Sequence, residues 1–128
     1  MEGTYRLRYQ TNRSAGFAEV TVLGAAAAQP DVLVAPDVFG WRRGTYDERN
    51  AEDERACTEA RDGAWYALTH LPADAPDLLV SVVGIVTAPA DTGPGHVKFA
   101  AAQAVWLAAG HAPHHPPWID ETGTPVFP

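Results

Sequence analysis

Cysteine occurs once in this 128-residue chain, so no internal disulfide can form and the cytoplasm is the expected compartment. No apolar run reaches the length that crosses a bilayer, and a membrane role is not expected. The start, Met1-Glu2-Gly3-Thr4, passes directly into alternating polar and apolar residues, which is not the pattern of a secretory signal. Cations are scarce: nine Lys+Arg face sixteen Asp+Glu, for a formal charge of -7. That balance opposes non-specific nucleic-acid binding, which needs many phosphate-neutralising side chains. There is no GxxxxGK[ST] phosphate loop, no Gly-x-Ser-x-Gly elbow and no internal repeat.

With 46% hydrophobic residues, the chain can close one core and is too short for two. Its charge is uneven. Residues 1–43 carry five Arg against four acids, whereas residues 44–62 carry three Arg against seven acids. A mildly basic N-terminal sheet face beside an acidic helix is the corresponding expectation.

Period-two alternation predicts a strand over residues 4–11, with Tyr5, Leu7 and Tyr9 opposite Arg6, Arg8 and Gln10. Asn12 to Gly16 reads as a turn, in which Asn and Gly tolerate positive φ and Ser14 offers a local hydrogen bond. A second strand follows at 17–23, close enough for a hairpin. Ala25 to Ala28 is ambiguous between helix and strand, and Asp31 to Ala35 predicts a short third strand before Pro36.

Two starts are open to the first helix. Thr45-Tyr46-Asp47-Glu48 has capping-box spacing, and Asn50-Ala51-Glu52-Asp53 offers a second. Cys57, Ala60, Ala64, Leu68 and Leu71 then form an amphipathic stripe, ended by Pro72. Residues 77–87 predict a central strand with apolar side chains on both faces, hence covered on both. A second helix runs from Pro94 or Gly95 to Ala109, apolar nearly all round and stopped by Gly110. The tail, residues 111–128, holds five Pro and three His and reads as an extended strap pinned by Trp118, Ile119, Val126 and Phe127. The whole order predicts an α+β two-layer sandwich: a small mixed sheet with both helices on one face.

The segment from Tyr5-Arg6 through Gln10-Thr11-Asn12-Arg13-Ser14-Ala15-Gly16-Phe17 to Val20 resembles the first hairpin of domain IV of elongation factor G. Glu59-Ala60-Arg61-Asp62-Gly63-Ala64-Trp65-Tyr66-Ala67-Leu68 is similar to that domain's first helix, also as found in tetracycline ribosomal-protection proteins. Leu79 to Val86, the loop to His96 and Lys98 to Ala104 resemble its last strand, tip and alanine-rich helix. The resemblance covers residues 4–110, a domain to which residues 111–128 add the Pro/His-rich strap. It implies a ribosomal-protein-S5-domain-2-like fold with a left-handed crossover. It also implies two working tips, Asn12 to Gly16 and Ala88 to His96, which in that family reach toward the decoding region of the ribosome. The turn here has fewer glycines than the family's. The second tip lacks the family's serine pair and gains Pro89 and Pro94, and the GTPase portion is absent.

Catalytic chemistry finds little to rest on. Cys57 lies on the core stripe among acids, which raise a thiol pKa rather than lower it. Ser14 sits in a turn and Ser81 in mid-strand, and the carboxylates of 47–62 spread around a helix. His111, His114 and His115, which Asp120 or Glu121 could complete, are the sharpest metal candidates, at a spacing that matches no zinc motif. The expectation is therefore a non-enzymatic binding module without a cofactor. It would act through Arg13, Ser14 and His96 at the tips on a ribosome-related or protein partner, a second copy of the chain included. Arg13 and His96 should stand exposed side by side. The alternative is a small enzyme or ligand-binding protein whose pocket is lined by Trp41, Arg42, Trp65, Trp118 and the histidines. Separately, Trp41 with Arg42 and Arg43 could stack on bases or grip a phosphate, against the expectation of an aromatic packed under a loop with two exposed arginines.

Overall fold

The computed structural model describes residues 1–42 and 49–128. Strands β1 (Glu2–Gln10), β2 (Ala15–Ala26), β3 (Asp31–Val34) and β4 (Leu78–Val86) form one sheet in the order β1-β2-β4-β3. β2 is antiparallel to both neighbours and β3 is parallel to β4, so the sheet is mixed. Helix α1 (Ala51–Thr69) connects the parallel pair, and α2 (His96–Ala109) follows β4. α1 packs on β3 and β4, α2 on β1 and β2, and the helices pack on each other. One face of the sheet is buried beneath them, through Leu7, Ala18, Val20, Val22, Val80 and Val82. The other face, with Thr4, Arg6, Arg8, Leu23 and Leu33, is exposed. This is the expected two-layer α+β sandwich. No helix among the described residues is long and apolar enough to cross a membrane.

The expectation that β4 is covered on both sides is corrected. Its register with β2 slips between Thr21 and Val22, leaving Val83 without an opposite residue. A bulge of this kind flips the alternation beyond it. Ile85 therefore joins Val80 and Val82 on the helix side and is fully buried. The second face needs no cover.

α1 starts at the second of its two candidate signals. Asn50 accepts from the Asp53 amide at 2.8 Å while Asp53 accepts from the Asn50 amide at 3.1 Å, a closed capping box. The Thr45 to Glu48 signal lies outside the described residues. The buried stripe is Ala56, Cys57, Ala60, Gly63, Ala64 and Ala67, and Leu68 and Leu71 flank it half-buried rather than belonging to it. Small residues let the helices approach closely: a Cβ on Gly63 would collide with the Lys98 carbonyl of α2. α2 buries Val97, Ala101, Ala104, Val105 and Trp106, and the Trp106 indole N–H donates to the Ala67 carbonyl of α1 at 3.2 Å. Phe99 is buried too, edge-on to Tyr5 and Phe127.

The tail ends in a small hairpin, with β5 (Trp118–Ile119) antiparallel to β6 (Pro125–Val126), and residues 111–117 lead into it without strand or helix. Phe127 fixes it, edge-on to Tyr66 at 5.0 Å and beneath the Lys98 ammonium at 4.2 Å. Trp118 is 51% exposed and contributes less to the pinning than its size suggested.

Candidate functional site

The β1–β2 turn and the β4–α2 loop meet at one end of the molecule. In the first, the Thr11 hydroxyl accepts from the amides of Arg13 and Ser14 at 3.2 and 3.0 Å. The turn thus closes between Thr11 and Ser14, whose hydroxyls also meet at 3.5 Å, and no non-glycine residue among those described has positive φ. Gly16 belongs to β2, where it lies against the Tyr9 ring and leaves no room for a Cβ. Asn12 and Arg13 are exposed at the apex.

Thr92 holds the second loop. Its hydroxyl accepts from the Ala88 amide at 2.9 Å and donates to the Phe17 carbonyl at 2.6 Å, while the Phe17 amide donates to the Asp91 carbonyl at 3.2 Å. These bonds fasten one tip to the strand that leaves the other. Arg8, Gln10, Phe17 and Asp91 line a shallow depression of about 370 Å³ on the open-face side of this junction.

His96 does not stand exposed beside Arg13, as the sequence led us to expect. It is 4% exposed. Its Nδ1 accepts from the Gly93 amide at 2.8 Å, so the bonding network places the ring proton on Nε2, which donates to the Gly123 carbonyl at 3.1 Å. The Tyr9 hydroxyl donates to the same carbonyl at 3.0 Å. Gly123 has φ +82°, and a Cβ there would press on Tyr9 and on the Ser14 hydroxyl at 2.9 Å. Tail, β1 and second tip are therefore joined at one oxygen. Both ring nitrogens of the histidine are satisfied, which is why the ring can be buried.

Glu59 was not singled out in the sequence. It reaches from α1 to the N-terminus of α2, accepting from the Gly95 amide at 3.1 Å and the Lys98 amide at 3.2 Å. α2 has no side-chain cap of its own, and this carboxylate supplies one along with the favourable charge for the helix dipole. Beside it lies a cleft of about 180 Å³ walled by Arg42, Asp53, Arg55, Glu59, Pro89 and Pro94. Arg42 pairs with Asp53 at 2.8 Å, their side chains 17% and 7% exposed. Of the three acids that line it, Asp53 is balanced by Arg42 and Glu59 by helix amides, and Glu52 is the third.

The cleft includes Arg42 but neither Trp41 nor Trp118. Trp41 is 49% exposed and donates its indole N–H to the Ile85 carbonyl at 2.6 Å, while Trp118 belongs to the tail hairpin. Arg43 lies outside the described residues. His114 and His115 are exposed and His111 half-buried, and no group of three His, Cys, Asp or Glu among the described residues is arranged to hold a metal. Cys57 is buried, and burial pushes its thiol pKa up despite the opposing Arg49 guanidinium. That is the setting of a packing thiol.

No protein family and no curated protein matches this sequence. Among solved structures, the crystal structure of ttk003000868 from Thermus thermophilus is similar, with a TM-score of 0.57 and 14% identity. The match covers 81% of this chain and 14% of that one, so the fold recurs there as a small part of a much longer protein. At this identity the likeness defines a fold: a two-layer α+β domain.

Proposed function

We propose that the chain is a non-enzymatic binding module that engages a macromolecular partner, foremost the ribosome, through its two joined tips. The observation that carries this is the fastening of the tips into one end by Phe17, Asp91 and Thr92, with Arg13 exposed at the apex. The resemblance to domain IV of elongation factor G assigns contact with a partner to these same loops. The similar fold within a longer Thermus thermophilus protein fits a domain of that kind. Because the chain as a whole is acidic, affinity depends on the few cations at the tip, and ribosome binding weakens as salt rises.

Co-sedimentation with ribosomes through sucrose gradients at low and moderate salt tests the reading. The expected result is comigration at low salt that Arg13→Ala reduces while the thermal melt is unchanged. Absence from ribosomal fractions at every salt overturns it.

A further inference from the structure

β1 is an edge strand, and its free side can be read residue by residue. Met1 and Gly24 exchange both backbone hydrogen bonds, at 2.7 and 3.1 Å. In an antiparallel ladder such pairs alternate, so Gly3, Tyr5, Leu7 and Tyr9 point their backbone groups at β2. Glu2, Thr4, Arg6, Arg8 and Gln10 then point theirs outward, and among the described residues no strand pairs with them. A long uncovered edge is a template for another strand. Charged side chains ordinarily blunt such an edge, and here their order along β1 decides which strand it can accept.

The side chains of the outward-facing residues lie on the open face of the sheet. Arg6 is held by Glu19 at 2.9 Å. Glu2 and Arg8 have no ion-pair partner among the described residues. We infer that the β1 edge is a homodimerisation surface, where β1 of a second copy adds antiparallel with Tyr5 on the two-fold axis. In this register Glu2 of each copy faces Arg8 of the other and Thr4 faces Arg6. Every outward residue from Glu2 to Arg8 exchanges both backbone bonds with its opposite, and the Tyr5 rings meet at the axis on the helix side. The neighbouring registers that keep outward groups opposed are worse. One places Arg6 on Arg6, and the other turns Glu2 toward an arginine that already has a carboxylate and leaves Arg8 overhanging. The match is self-complementary, as a two-fold interface requires. It uses the edge of the sheet rather than its end, and of its outward residues it shares with the tips only Arg8 and Gln10, which also line the depression at their junction.

Sedimentation velocity from about 1 μM to about 1 mM tests it, a range that spans weak to moderate association. The wild-type chain dimerises within that range. Arg8→Glu sets two acids against each other twice per dimer and weakens association at least about tenfold. Glu2→Arg combined with Arg8→Glu restores it. Thr4→Pro, which removes an outward N–H that the monomer's sheet does not use, abolishes the dimer while the monomer's circular dichroism is retained. Amide exchange supplies a second readout: the Thr4, Arg6 and Arg8 amides gain protection with concentration, while those of Tyr5 and Leu7 are protected throughout. A chain that stays monomeric to about 1 mM overturns the inference. So does a double reversal that fails to restore the dimer, or edge protection that appears only when another protein is added.

Discussion

The two helices lie side by side and are capped in opposite ways. α1 carries its own instructions: a capping box within four residues, acids in its first turn, and a stripe of small residues that selects one face. α2 carries a stop at Gly110 but no side-chain cap at its start. Its N-cap is Gly95 in the left-handed region at φ +84°, and it is apolar on nearly every side. What starts it is Glu59, on the other helix. The extent of both helices follows from local signals, but the group that caps the start of α2 is set by a neighbour in space.

This contrast can be broken most severely at the contact between the two helices. Trp106→Ala removes a buried indole that spans to the Ala67 carbonyl, and should cost about 3–5 kcal/mol in urea unfolding. A loss below about 1 kcal/mol would place Trp106 outside the core. Gly63→Ala gives a sharper test because its sign is diagnostic. On an exposed helix the change stabilises by about 1 kcal/mol. Here the new methyl meets the Lys98 carbonyl, and net destabilisation of about 1–3 kcal/mol is expected.

Next come the two caps, compared directly. Asn50→Ala and Glu59→Ala should each cost about 0.5–2 kcal/mol. Hydrogen exchange should separate them, the first loosening the start of α1 and the second the Gly95 and Lys98 amides of α2. If Glu59→Ala leaves those amides unchanged, α2 starts itself and the contrast fails. The smallest effect concerns another locally closed motif, the tail turn. The Thr122 hydroxyl, then the Thr124, Thr122 and Gly123 amides, hold the Asp120 carboxyl below its ordinary pKa. A depressed carboxylate stabilises fully above its unfolded value of about 3.9 and loses that contribution as pH falls through the lower folded value. An NMR titration should place Asp120 below the other exposed carboxylates, and Thr122→Ala should return it toward them.

The same division governs what could be read in advance. The strands of the hairpin, both helices and the layer order were legible because alternation, a 3.6-residue stripe and a glycine stop are local signals. The bulge at Val83 was not, since valine suits either face and a one-residue slip leaves no compositional trace. Glu59 was hidden in a run of acids whose ordinary role is solvation. His96 looked exposed because a histidine in a loop usually is; two backbone groups remote from one another in sequence, Gly93 N–H and Gly123 C=O, allow its burial. The grouping of Trp41, Arg42 and Trp118 joined residues by chemical type, whereas in the structure they bond the Ile85 carbonyl of β4, pair with Asp53 at the α1 cap and belong to the tail hairpin, respectively.

The insertion of β4 between β2 and β3 has a consequence in time. During synthesis from the N-terminus, β1 and β2 can pair as soon as they emerge, but β3 has no partner until some forty residues later. Until β4 arrives, the hairpin and β3 each present an unsatisfied edge, and α1 has only half a sheet to pack on. The slow event in folding is then the capture of one strand by two waiting neighbours, the kind of non-local closure that limits rate. A nascent chain arrested before residue 78 should be prone to aggregate, whereas one arrested after residue 110 should fold on release.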